Sequence, residues 1–212
     1  MEDNSAPETE AAPSDLFLDR LLDATLELAP DMGWTRAALD RAAEKAGLSV
    51  GQALLSAPHG APDVLEAFGK RAARAAGQGV IAADNQKVRQ KVRAGVKGWL
   101  AAMDAHKPAV KRAAATPANL LTGPKGLWAA ADAIWSALGD KSTDYNWYTK
   151  RMTLVAVLGS TLTAWLGTDD EAEIDAEVHV VRGERRVERG PLQRGDHVGV
   201  DPDEVVGAPA DA

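Results

Sequence analysis

Cysteine is absent from all 212 residues. That excludes disulfides, thiolate metal sites and a cysteine nucleophile. Aromatic residues are scarce, with two phenylalanines, two tyrosines and six tryptophans. Strands favour aromatic and β-branched side chains, so this scarcity beside an alanine-rich apolar fraction points to helices. Alternating strand patterns are missing before residue 168. An apolar run of membrane-spanning length is missing as well: Met152–Leu166 is interrupted by Thr153, Ser160, Thr161 and Thr163, whereas a span needs about twenty predominantly apolar residues. It reads as a buried core helix. The opening MEDNSAPETEAAPSD has no apolar centre and is not a secretory signal, so the expected location is cytoplasmic.

The charge that is present is unevenly placed. Residues 1–15 hold five acids and no base, and residues 168–212 hold thirteen acids against five arginines. The middle, 16–167, keeps nineteen bases against thirteen acids. A basic centre between acidic ends fits either an anionic partner or a solvated surface with solubilising tails. Residues 1–14 are expected to be disordered, and so is the tail from 168 to 212, which mixes glycine, proline and acids with few large apolar groups.

Between the tails the chain is punctuated as helices. Leu18, Leu21, Leu22, Thr25 and Leu28 form a helical stripe, with Ser14 as a cap and Pro30 as the end. A second helix is expected from about Thr35 to Ala46, closed by Gly47. Ser49 caps a short third through Ser56, before the breaker APHGAP. A longer helix runs from Asp63 to about Ala83. Val88, Val92, Val96, Trp99 and Met103 mark another, clothed by Lys87, Arg89, Lys91, Arg93 and Lys97. Pro108–Ala115, Pro124–Leu138 and Thr143–Leu166 complete the set.

LDRAAEKAGLSVGQALLS has helix-turn-helix spacing: Ala42, Ala43 and Ala46 pack, Gly47 turns, Leu48 plugs the turn and Ser49 starts the second helix. With a helix before it and a long one after, the layout resembles the amino-terminal module of the TetR repressors. The expected fold is an all-α, TetR-like helical bundle over residues 15–167, with a degenerate helix-turn-helix at 35–56. A recognition helix needs cations or amides for phosphates and base edges. Ser49 to Asp63 contains no lysine or arginine, so nucleic acid is not an expected partner.

The stretch GDKSTDYNWYTKRMTLVAV holds both tyrosines. On a helix, Asp144, Trp147, Tyr148 and Arg151 share one face over two turns, with Arg151 in cation–π reach of Trp147. Two readings stand. Trp147 and Tyr148 are core aromatics with satisfied tips, or they are a docking surface of the side chains that dominate interface hot spots.

STDYNWYTKR (Ser142–Arg151), preceded by DAIWSALGD (Asp132–Asp140) and, earlier, GWTRAALDRAA (Gly33–Ala43), resembles the signature of the TetR-like lipid-binding accessory proteins of coenzyme Q biosynthesis, the Coq nine family. The resemblance spans roughly Leu16–Leu166. It implies a non-catalytic protein without a cofactor that binds isoprenoid quinone intermediates or phospholipid. It also implies presentation of those lipids to ring-modifying enzymes, chiefly the demethoxyubiquinone hydroxylase. By motif match, Asn146, Trp147 and Tyr148 become partner-binding residues flanked by Asp144 and Arg151. Trp128, Ile134, Trp135, Leu154, Leu158 and Leu162 would line the lipid pocket, with ordinary core as the other reading of all six. A homodimer through the late helices and peripheral contact at the inner face of the cytoplasmic membrane are further expectations. After Gly167 the chain departs from the family, since its acidic tail offers no apolar face for a membrane-lying helix. The basic face of Lys87–Lys97 reads as a solvated helix surface, with membrane contact in place of that helix as the other reading. The alternative function is a TetR-type regulator that senses a hydrophobic ligand.

Catalytic patterns are thin. His59, His106, His179 and His197 are scattered without metal-ligand spacing. TGPKGLW (Thr122–Trp128) lacks the glycine order of a phosphate loop. A binding protein rather than an enzyme is expected.

Overall fold

The computed structural model describes residues 12–119, 123–143 and 145–168. Those residues form eight α-helices and one 3-10 turn, with no strand among them. The architecture is an all-α bundle of the TetR-like kind. Residues 1–11 and 169–212, on which most of the two tail expectations fall, lie outside the described residues.

α1 (Pro13–Met32) is capped at Ala12, two residues ahead of the expected Ser14, because a proline with its fixed φ is already suited to the first helical position. It also runs through Pro30, which sits in the last turn where only one ladder bond is lost. Gly33, at φ 70°, makes the actual stop, and its N–H reaches Ala29 O at 3.0 Å. α1 buries Leu21, Leu22, Ala24, Thr25, Leu26 and Ala29.

Thr35 caps α2 (Arg36–Lys45) by accepting from Ala38 N–H at 3.2 Å. Gly47 adopts φ 64°, and Leu48 turns inward to plug the junction. α3 (Val50–Ser56) opens on a reciprocal cap. Gln52 N–H donates to Ser49 Oγ at 3.2 Å, while Ser49 N–H donates to Gln52 Oε1 at 2.8 Å. The buried Trp34 Nε1–H donates to Ala109 O at 2.9 Å, tying the α1–α2 junction to α6 (Lys107–Ala114).

α4 (Ala61–Ala82) and α5 (Val88–Asp104) form the spine. Their backbones approach closely through glycine. A Cβ on Gly79 would meet Ala94 O at 2.6 Å, one on Gly98 would meet Ala75 O at 2.8 Å, and one on Gly95 would meet Val80 Cγ2 at 2.8 Å. α7 (Gly123–Ala137) packs along the other side of α4, and α8 (Tyr145–Gly167) packs on α7. α8 turns Arg151, Leu154, Leu158, Thr161 and Trp165 into the bundle at steps of three and four.

Candidate functional site

The first two turns of α8, with the end of α7 and the loop between them, gather aromatic rings and charges. Trp147 and Tyr148 stand edge to face with centroids 5.0 Å apart. Trp128 of α7 closes a triangle, 5.7 Å from Trp147 and 5.8 Å from Tyr148. Such geometry is favourable for aromatic pairs beyond simple burial. Tyr148 is 61% exposed and Tyr145 83% exposed, while Trp147 is half-buried beneath them. Met152, one turn after Tyr148, is exposed as well. The result is an outward apolar and aromatic patch at the start of a helix that, unlike the fully buried one expected, gives only one stripe to the core.

Beneath the patch lies a charge network. Arg151 is only 2% exposed. Its Nε donates to Asp132 Oδ1 at 2.7 Å, and one terminal nitrogen donates to Asp140 Oδ2 at 3.2 Å and to Trp147 O at 3.3 Å. The guanidinium carbon lies 4.1 Å from the Trp147 ring centroid. Lys150 Nζ donates to Asp140 Oδ1 at 2.9 Å and Ser142 Oγ at 2.8 Å, and Ser142 Oγ–H donates to Asp140 Oδ1 at 2.7 Å. Trp135 Nε1–H donates to Lys150 O at 3.2 Å. These contacts, led by the hydrogen bonds from Lys150 and Ser142 with Arg151 adding to them, hold the Asp140 carboxyl well below the usual carboxylate range.

Of the residues read as partner-binding, Tyr148 and Asn146 are exposed, Trp147 is half-exposed, and Asp144 lies outside the described residues. Arg151 faces inward, so it supports the patch from within and does not flank it at the surface. A helical wheel puts Arg151 on the Trp147–Tyr148 face, but the edge of the core runs across that face. Trp128, read as pocket lining, belongs to the aromatic triangle. Ile134, Leu154 and Leu158 are buried in the core, Ile134 against Gly95 of α5, with Trp135 and Leu162 half-buried at the margin. A cleft of about 650 Å3 lies elsewhere, against α1 and α4, lined by residues including Asp15, Leu18, His59, Asp63 and Lys70 and by none of these six. Asp132, Asp140, Lys150, Tyr145 and Met152 were not singled out by spacing. The DAIWSALGD block that holds both aspartates was the signal available for them.

On the opposite part of the bundle α3 exposes Val50, Leu54 and Leu55. Apolar side chains cannot neutralise phosphates, so this helix lacks the means to grip DNA. Among the described residues no three His, Cys, Asp or Glu side chains come together as a metal set.

Residues 120–188 match the COQ9 family model. Curated proteins agree: the rat (Rattus norvegicus) ubiquinone biosynthesis protein COQ9, mitochondrial, is 29% identical over 154 residues, covering 67% of this chain and 49% of the rat protein. The chain is similar to the COQ9 family. The human (Homo sapiens) COQ9 protein is 28% identical over 154 residues, with 67% of this chain and 48% of the human one covered. A probable COQ9 protein of Dictyostelium discoideum is 39% identical over a shorter stretch of 46 residues, 22% of this chain and 15% of its own. The chain thus spans about half the length of the mammalian COQ9 relatives it matches. The COQ9 family match runs to residue 188, so the likeness does not stop at Gly167 as the sequence reading has it.

These COQ9 relatives are named as mitochondrial proteins. That overturns the expected cytoplasmic location, and with it the inner face of the cytoplasmic membrane. The expectation rested on a missing apolar leader, a feature that speaks only to secretory export. Among the described residues no helix is long and apolar enough to cross a membrane.

Proposed function

We propose that this COQ9-like chain acts in ubiquinone biosynthesis by binding and not by catalysis, presenting isoprenoid quinone intermediates to the demethoxyubiquinone hydroxylase. Likeness to the COQ9 proteins supports the pathway. The observation that carries the docking role is the Trp128–Trp147–Tyr148 triangle, whose phenol ring faces solvent at the head of a helix that buries its other face in the core. Tryptophan, tyrosine and arginine dominate interface hot spots because they combine large apolar area with a polar tip. A core role alone would leave no reason to expose Tyr145, Tyr148 and Met152 together.

The proposed lipid site is the α7–α8 seam of Ile134, Trp135, Leu154, Leu158 and Leu162, with Trp128 at its mouth. Its side chains belong to the hydrophobic core or pack against it, so on this reading an isoprenoid or phospholipid tail enters by parting the two helices. Two measurements test the proposal. Mass spectrometry of lipid extracted from gently purified protein should find an isoprenoid quinone precursor or a phospholipid, and a lipid-free extract would sink the lipid role. Immobilised hydroxylase should capture the protein, with Tyr148→Asp weakening capture by about thirtyfold, the 2 kcal/mol scale of a hot spot. Undiminished capture would remove the docking role.

A further inference from the structure

Arg151 is the one charged residue in the buried set among the described residues. Stability alone is a weak reason to keep it there. Desolvating a charge is costly, and a buried ion pair roughly breaks even against an apolar side chain of similar volume. Its contacts share a different property: each ends on a separate piece of the docking site. Asp132 belongs to α7, Asp140 to the α7–α8 loop, and Trp147 to the first turn of α8. The guanidinium plane also covers the inner side of the Trp147 ring, while Trp128 and Tyr148 approach it within stacking distance. The ring is therefore held from within and by two aromatic neighbours. Asp140 is in turn pinned by Lys150 and Ser142, so the loop cannot drift from the helix it precedes.

We propose that Arg151 is a positioning residue for the docking face: clamped by Asp132 and Asp140, it fixes the Trp147 ring and thereby the exposed Tyr148 before any partner arrives. The inference rests on the docking role proposed above and explains how that role is achieved. Fixing the rings in advance removes their ordering from the cost of association. Arginine is required because only its planar fork can meet two carboxylates and stack on an indole at once.

The test uses the full chain with 5-fluorotryptophan incorporated, the Trp147 19F resonance being assigned by its loss in Trp147→Phe. Arg151→Met keeps the volume and leaves Asp140 satisfied by Lys150 and Ser142. It should keep the helical circular dichroism and a Tm within a few degrees. It should shift and broaden the Trp147 resonance, and weaken hydroxylase binding at least tenfold. An unmoved resonance, or wild-type affinity despite a moved one, overturns the proposal. Should Arg151→Met fail to fold, Arg151→Lys carries the test, since it retains the charge without the fork. Wild-type affinity in that variant is equally fatal. If the wild-type protein itself does not bind the hydroxylase, the docking role falls, and the 19F spectrum alone then decides whether Arg151 orders the ring.

Discussion

Asp140 accepts hydrogen bonds from two cations and a hydroxyl, and its carboxyl is held well below the ordinary range. A carboxyl whose folded pKa is depressed lends stability that is present above its unfolded value, near 4, and disappears as pH falls toward the folded one. Asp140→Asn should therefore flatten the acid limb of a Tm-against-pH curve below about pH 4 while lowering Tm at neutral pH. A variant whose acid limb matches the wild type would show that the network carries no proton linkage. Neighbouring residues respond differently. Tyr148→Asp forfeits two ring contacts but no core burial and should lower Tm by only a few degrees, whereas Trp147→Lys sets an ammonium against the Arg151 guanidinium and should lower it further. Sequence spacing put these side chains on one face, and the structure puts them there too. Spacing could not say where along that face solvent begins, because the answer depends on where α7 places Asp132 and Trp128.

The helices were legible because their punctuation is chemical. Thr35 and Ser49 accept the first free N–H groups, and Gly33 and Gly47 supply the left-handed residues that no β-carbon tolerates well. Ser49→Ala should cost about 1 kcal/mol in denaturant unfolding by opening the reciprocal cap with Gln52. What the pattern hid is the glycine contact between α4 and α5. Glycine inside a helix reads as a weak point from sequence, yet here it permits main chains to touch. Gly95→Ala should destabilise by about 1–3 kcal/mol, since its methyl would press on Val80 and Ile134. A neutral or stabilising result would mean that the spine has slack. Thr161 offers the reverse case. Its hydroxyl is fully buried and has no hydrogen-bond partner among the described residues. Thr161→Val should stabilise by about 1 kcal/mol, because the lone polar group is then replaced in the same volume.

Across the whole molecule the helix-turn-helix spacing and the aromatic head of α8 sit on different parts of one bundle, and their side chains point to different uses. α3 shows Val50, Leu54 and Leu55 to solvent with no lysine or arginine from Ser49 to Asp63, so a gel-shift titration against duplex DNA should show no salt-sensitive retardation. The regulator alternative is not favoured, and the COQ9 relatives point away from it. The proposed lipid seam was the least legible feature: Ile134, Leu154 and Leu158 have the same periodicity whether they greet a prenyl chain or one another, and composition does not separate the two. The contact of α4 with α5 bears on how such a seam could open. Two rods whose main chains interlock cannot slide or roll past each other without collision, so they behave as a single keel. Any swelling of the bundle to admit a guest is then confined to the flank where α8 rides on α7. The keel shields the N-terminal helices from that movement, and loading would leave the far side of the protein mechanically silent.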